Sequence, residues 1–148
     1  MLALSNDPGL SAWGLCLWKN HWPIELKTII PKGKDFTKVL DLRERYVRVI
    51  SEIKDKHGPI DRVAFETYVR WVNPKHGIAR DLMTNCLATG IIVDIWLETL
   101  IPTFVSKGSA PKSQANLLTL YFFKNASQGS QHARDALLVG YLAGFGEK

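Results

Sequence analysis

The stretch Leu2-Ala3-Leu4-Ser5-Asn6-Asp7-Pro8-Gly9-Leu10-Ser11-Ala12-Trp13-Gly14-Leu15-Cys16-Leu17-Trp18 decides the fold. Residues 2–5 read as a short buried strand. Asn6-Asp7-Pro8-Gly9 reads as the turn that closes it, since Asn and Asp bond their own following backbone and Pro-Gly punctuates a chain strongly. Over residues 12–18, Trp13, Leu15 and Leu17 alternate with Gly14, Cys16 and Trp18. Period-two alternation marks a strand, and apolar residues on both of its faces mark one that is covered from both sides.

Working outward, residues 24–30 make a third strand after a short connection, so an antiparallel meander opens the chain. A helix follows over about residues 36–56, with Val39, Leu42, Tyr46, Val49, Ile50 and Ile53 at helical spacing, and His57-Gly58-Pro59 stops it. Residues 62–66 form a brief strand ending in a carboxylate. A long helix runs from about 76 to 100, apolar on much of its circumference from Leu82 onward. Residues 102–105 give a fifth strand, and 111–123 and 130–142 two closing helices. Early hairpins followed by alternating strands and helices imply an α/β domain, a mixed five-stranded sheet with helices on both faces. At 148 residues the chain suffices for one domain, spanning 1–148, with a real core.

Composition narrows the function. No apolar run approaches the ~18–20 residues that cross a bilayer, so no membrane partner is expected. The first residues run straight into a turn without a basic leader, unlike a signal peptide. Cys16 and Cys86 sit in apolar runs with no CxxC spacing, so buried free thiols in a reducing cytosol are expected, and a structural zinc site is excluded. Nineteen Lys and Arg against fourteen Asp and Glu give a net charge of +5, which favours a polyanionic partner, nucleic acid first. Many small basic proteins bind no nucleic acid, so charge alone decides little.

Three carboxylates fall where solvated charge is not expected. Asp7 ends the first buried strand, Glu66 follows Val63, Ala64 and Phe65, and Asp135 lies among Ala133, Ala136, Leu137 and Val139. Each also has an ordinary reading: Asp7 as a turn former, Glu66 as a strand-end charge in water, Asp135 on a helix edge paired with Arg134 or Lys124. Strands one and four can lie side by side and bring Asp7 to Glu66, and a helix docked over their ends adds Asp135. Three inward carboxylates repel one another in a low-dielectric site, and a divalent cation relieves that repulsion. Oxygen ligands suit Mg²⁺ or Mn²⁺, and two such ions about 4 Å apart activate water and stabilise a leaving oxygen in phosphodiester hydrolysis.

Asn6-Asp7-Pro8-Gly9-Leu10-Ser11 with Trp13-Gly14 resembles the opening strand-turn-strand of RuvC-type Holliday junction resolvases, members of the ribonuclease H-like superfamily. Ala64-Phe65-Glu66 resembles their second catalytic strand, and Gly108-Ser109-Ala110-Pro111-Lys112-Ser113-Gln114 their basic turn into a helix. His132-Ala133-Arg134-Asp135-Ala136-Leu137 resembles their closing motif, in which an acidic residue or a histidine precedes an aspartate by three. Four such matches in order, across nearly the whole chain, are far more specific than any one. The resemblance implies a ribonuclease H-like fold. It implies Asp7, Glu66, His132 and Asp135 as the catalytic and metal-binding set, with two Mg²⁺ or Mn²⁺ per site. His132 and Asp135 are one helical turn apart and can face the same site, whether the imidazole ligates metal or handles protons.

After Glu66, the segment with Tyr68, Arg70, Trp71, Asn73, Pro74, Lys75 and His76 mixes aromatics with cations, the composition that stacks on bases and neutralises phosphates. The resemblance implies an aromatic that wedges into the junction, with Tyr68 the first candidate and Trp71 the second, unless Trp71 packs as core. Lys107, Lys112 and Arg80 are the candidate phosphate contacts, with Gly108 and Ser109 leaving backbone amides open to a phosphate oxygen. Lys19, Lys27, Lys32 and Lys34 are expected to be solvated. The long helix carries Leu82, Met83, Leu87, Ile91, Ile92, Ile95 and Trp96, more apolar surface than one stripe needs; the resemblance implies a two-fold homodimer through it, the alternative being a helix buried wholly within one domain. The expected function is Mg²⁺-dependent endonucleolytic resolution of four-way DNA junctions in the cytoplasm of a bacterial cell or phage-infected host. A broader branched-DNA nuclease, a related nuclease acting on RNA and a non-catalytic nucleic-acid-binding relative stand as alternatives. A helicase partner is not readable from the residues.

Overall fold

The computed structural model describes residues 1–66, 79–100, 102–106 and 112–146. In chain order the elements are β1 (Leu2–Asp7), β2 (Trp13–Lys19), β3 (Trp22–Ile29), α1 (Asp35–His57), β4 (Arg62–Glu66), α2 (Ala79–Trp96), β5 (Thr103–Val105), α3 (Lys112–Phe123) and α4 (Gln131–Leu142). They form one mixed sheet in the order β3-β2-β1-β4-β5. β1 pairs antiparallel with β2 and parallel with β4, and β4 pairs parallel with β5. The expected α/β architecture, with strands one and four adjacent, is what the chain adopts. Among the described residues no helix is long and apolar enough to cross a membrane.

Strand alternation sorts the core into two layers. Leu2, Leu4, Trp13, Leu15, Leu17, Val63 and Phe65 face α1 and α2, where Leu42, Tyr46, Ile50, Ile53, Ile91 and Trp96 meet them. Ala3, Cys16, Trp18, Ala64 and Val105 face the other way, toward Phe122 of α3, Ala136, Leu137 and Val139 of α4, and Phe145. Trp18 meets Phe122 and Phe145 edge-on, with ring centroids 5.8 and 6.2 Å apart, a favourable arrangement for aromatic quadrupoles. All six β2 residues before Lys19 are buried, as a strand covered on both faces must be.

Three differences from the sequence reading have physical causes. β1 continues through Asn6 and Asp7 rather than ending at Ser5, because both residues pair with β2, at Leu15 and Gly14, and Asn6 also pairs with Phe65 of β4. Two ladders satisfy backbone groups that a turn would leave to water. β3 begins at Trp22 rather than Ile24, since Asn20 and His21, with φ of 50° and 69°, close a two-residue hairpin. Cys16 is buried as expected, and burial pushes its thiol pKa well up. Cys86 is exposed, contrary to expectation: it shares the outward face of α2 with Gly90 and Asp94, while Ile91 and Trp96 face the core. The helix expected over 76–100 is described from Ala79 to Trp96; its expected first residues lie outside the described ones, and it ends at Trp96 rather than at 100 because the backbone of Thr99 and Leu100 turns back onto the Trp96 carbonyl.

α4 lies directly on β1 and β2, anchored by one hydroxyl. Ser5 Oγ accepts from Trp18 Nε1 at 2.9 Å and donates to the carbonyl of Ala136 at 2.7 Å. Gly140 makes that approach possible: a Cβ there would stand 2.3 Å from Trp18 Nε1 and 2.6 Å from Ser5 Oγ. Gly140→Ala is therefore expected to lower stability by about 1–3 kcal/mol through overpacking, measured by urea denaturation. A midpoint equal to that of the unsubstituted chain would show that α4 is not held this closely.

Candidate active site

Asp7 and Glu66 come together through strand register. β1 and β4 run parallel with Ser5 opposite Ala64 and Asn6 opposite Phe65. One residue beyond the last pair stand Asp7 and Glu66, at the ends of two strands that, as neighbours, lie about 4.8 Å apart. Ser5 and Ala64 face α4, so Asp7 and Glu66, two residues on, face that side as well. Asp7 is buried, and Glu66 is half-buried at the strand end.

α4 supplies the other two residues. Ser130 caps the helix, its side chain accepting from the backbone N–H of Ala133 at 3.1 Å, which satisfies one of the unpaired first-turn amides. Arg134 holds the same turn in place by donating to Asn116, to the Gly129 carbonyl and to Gln131. His132, in that first turn, places Nδ1 2.9 Å from Asp7 Oδ2. An ionised carboxylate only accepts, so the proton sits on Nδ1, and Nε2 carries the lone pair in the neutral ring. Asp135, half-buried one turn later, accepts from Gln131 Nε2 at 2.9 Å. The positive end of the α4 dipole thus lies over the Asp7 carboxylate and favours its charge.

The contact between His132 and Asp7 depends on Gly14, which pairs with Asp7 across the β1–β2 ladder. A Cβ on Gly14 would lie 1.9 Å from the carbonyl oxygen of His132 and 2.2 Å from its carbon. Only a residue without a side chain lets the backbone of α4 settle against the strand here. Sequence reasoning treated Gly14 as part of a motif and missed this role. The contact is tertiary, and the pattern of one strand carries no sign of it.

The structure therefore brings His132 to Asp7 and sets Glu66 at the end of the neighbouring strand, with Asp135 one turn further along α4. The donor chemistry, carboxylates with one imidazole, fits a hard divalent cation. Asp7 and His132 are bonded to each other, however, and among the described residues no three His, Cys, Asp or Glu side chains are gathered closely enough to hold one ion. Lys112 is exposed at the start of α3. Arg80 lies in the first turn of α2, described in backbone only. Tyr68, Arg70, Trp71 and Lys107 lie outside the described residues. A groove of about 680 Å³ opens between α3, α4 and the β2–β3 turn, lined by Trp22, Leu117, Tyr121 and Tyr141 among others. It includes none of the four candidate residues, and its lining is mainly apolar.

With the geometry in view, the fold can be placed: it is ribonuclease H-like, in the arrangement of RuvC. The chain is similar to the solved structure of T. thermophilus RuvC in complex with a Holliday junction substrate, with a TM-score of 0.73, 16% identity, and coverage of 98% of this chain and 94% of that one. It is equally similar to a Thermus thermophilus RuvC structure, at a TM-score of 0.72, 15% identity and the same coverage. No protein-family model and no curated protein matches the chain by sequence.

Gly14→Ala should cost more stability than Gly140→Ala, because the clash is with helix backbone rather than with side-chain atoms that can turn aside. It should also separate His132 from Asp7. Long-range ¹H–¹⁵N NMR of the imidazole reads this directly: the unsubstituted chain should show a carboxylate-bonded Nδ1–H, and Gly14→Ala should lose it. An unchanged ring signal would mean that α4 does not need the bare backbone at Gly14.

Proposed function

We propose that this protein is a divalent-metal-dependent endonuclease that resolves four-way DNA junctions. The observation that carries the reading is that β1 and β4 pair in parallel up to Asn6 and Phe65, the residues just before Asp7 and Glu66, while His132 in the first turn of α4 bonds Asp7. Likeness of the whole chain to a RuvC bound to a Holliday junction supports the choice of substrate, and the net charge of +5 suits a phosphate-rich partner.

Asp7, Glu66, His132 and Asp135 would hold Mg²⁺ or Mn²⁺, two per site, and when bound such ions supply an activated water and stabilisation of the leaving oxygen. The chain's own contribution is orientation. Strand register fixes the spacing of Asp7 and Glu66, and Asp7 fixes the ring and tautomer of His132, so that Nε2 can serve as a ligand or move a proton. Tyr68, or failing it Trp71, would stack in the junction centre, with Arg70, Arg80, Lys107 and Lys112 on phosphates. Cys86 and Leu87 on α2 and Leu97 just after it leave an exposed and partly apolar face, which suits a second copy. A two-fold dimer would set paired sites against opposing strands.

Asp7→Asn, Glu66→Gln and Asp135→Asn should each cut single-turnover junction cleavage in Mg²⁺ by about 100-fold or more, and His132→Ala by roughly ten- to a thousand-fold. Junction binding measured without metal should stay near that of the unsubstituted chain, because phosphate contacts are untouched. Normal turnover by any one variant would remove that residue from the catalytic set.

A further inference from the structure

Asn6 is fully buried one residue before Asp7, on the opposite face of the sheet. Its Nδ2 donates to the carbonyl of Ala64 on β4 at 3.0 Å. Its Oδ1 accepts twice, from Trp13 Nε1 at 3.2 Å and from the Tyr46 hydroxyl at 3.0 Å. The same hydroxyl accepts from Trp96 Nε1 at 3.0 Å. Trp13, Tyr46 and Trp96 are themselves 1% exposed or less, so five elements, β1, β2, β4, α1 and α2, meet in one dry chain of hydrogen bonds. Burial raises the Tyr46 hydroxyl pKa well above its usual value, so it stays a donor at any working pH.

A leucine at position 6 would fill the same space without desolvating an amide, which costs free energy unless every bond is made. The arrangement is specific in what it ties. The amide crosses from β1 to β4 just before the two strands end in Asp7 and Glu66. Tyr46 and Trp96 extend the tie to the C-terminal end of α2. We infer that Asn6, Tyr46 and Trp96 are positioning residues that hold Asp7 and Glu66 at their spacing from behind the sheet and key that spacing to α2. This rests on the nuclease reading of the Asp7–Glu66 pair. Tyr46 and Trp96 touch no substrate and act through Asn6.

The test uses the full chain with Tyr46→Phe and Trp96→Phe, singly and combined. Asn6→Leu is the stronger variant if it folds, and Tyr46→Phe removes only one oxygen. All are assayed at a temperature where circular dichroism shows each fully folded. Tyr46→Phe should lower single-turnover junction cleavage in saturating Mg²⁺ by about 10-fold, the usual scale for losing an orienting partner. It should weaken Mn²⁺ binding to the DNA-free protein, read by electron paramagnetic resonance, by a similar factor. Junction affinity without metal should stay within about twofold, since no phosphate contact changes. Trp96→Phe should add little to Tyr46→Phe, because both break one chain of bonds. Unchanged cleavage and Mn²⁺ affinity in the folded Tyr46→Phe protein, or losses that simply add in the double variant, would overturn the relay. If the unsubstituted chain cuts no junction, the nuclease reading falls instead, and Mn²⁺ affinity alone then decides whether the relay positions the pair.

Discussion

The backbone of α4 touches the sheet at Gly14, and the rest of the site follows from that contact. With a side chain at that position the helix would ride higher, His132 would lose Asp7, and the Ser5 hydroxyl could not reach the Ala136 carbonyl. Gly140 allows the same closeness two turns later. Between these two glycines α4 has one height and one rotation on the sheet, and the turn bearing His132 and Asp135 comes to rest over the end of β1. Packing at native density transmits such placement without slack.

Seen from β1, the strand is held from both faces just before its functional end. Ser5 bonds to α4 and Trp18 on one side, and Asn6 bonds to β4, Trp13 and Tyr46 on the other. Both are buried polar residues with their bonding groups engaged, the condition under which such networks specify a unique arrangement rather than weaken it. Asp7 follows them directly.

Much of the fold was legible because the strands carry their burial in their composition. β2 is apolar on both faces, and β4 ends its apolar run in Glu66, so the sequence allowed strands one and four to lie side by side, as they do. Asn6 was misread for a physical reason. Asn-Asp-Pro-Gly has strong local turn chemistry, and only the pairing with both β2 and β4 draws Asn6 and Asp7 into the strand. A signal was present in Trp13 and Tyr46, which sit at core positions and must find polar partners for their N–H and O–H. Gly14 and Gly140 left no such trace, since their importance comes from what lies above them. Cys86 misled because its neighbours are apolar, while the outward face of α2 is set by spacing along the helix rather than by local hydropathy.

Whether the end of the β1–β4 pair is a metal-dependent nuclease site for branched DNA is decided by incubating the purified chain with a labelled synthetic four-way junction, a linear duplex of matching sequence and an RNA hairpin. Each is followed in Mg²⁺ and in a chelator. Paired nicks are expected in opposing strands of the junction, in Mg²⁺ only, with the duplex and the hairpin left largely intact. Junction binding without cleavage in Mg²⁺ and in Mn²⁺, or equal cleavage of all three substrates, would contradict that assignment.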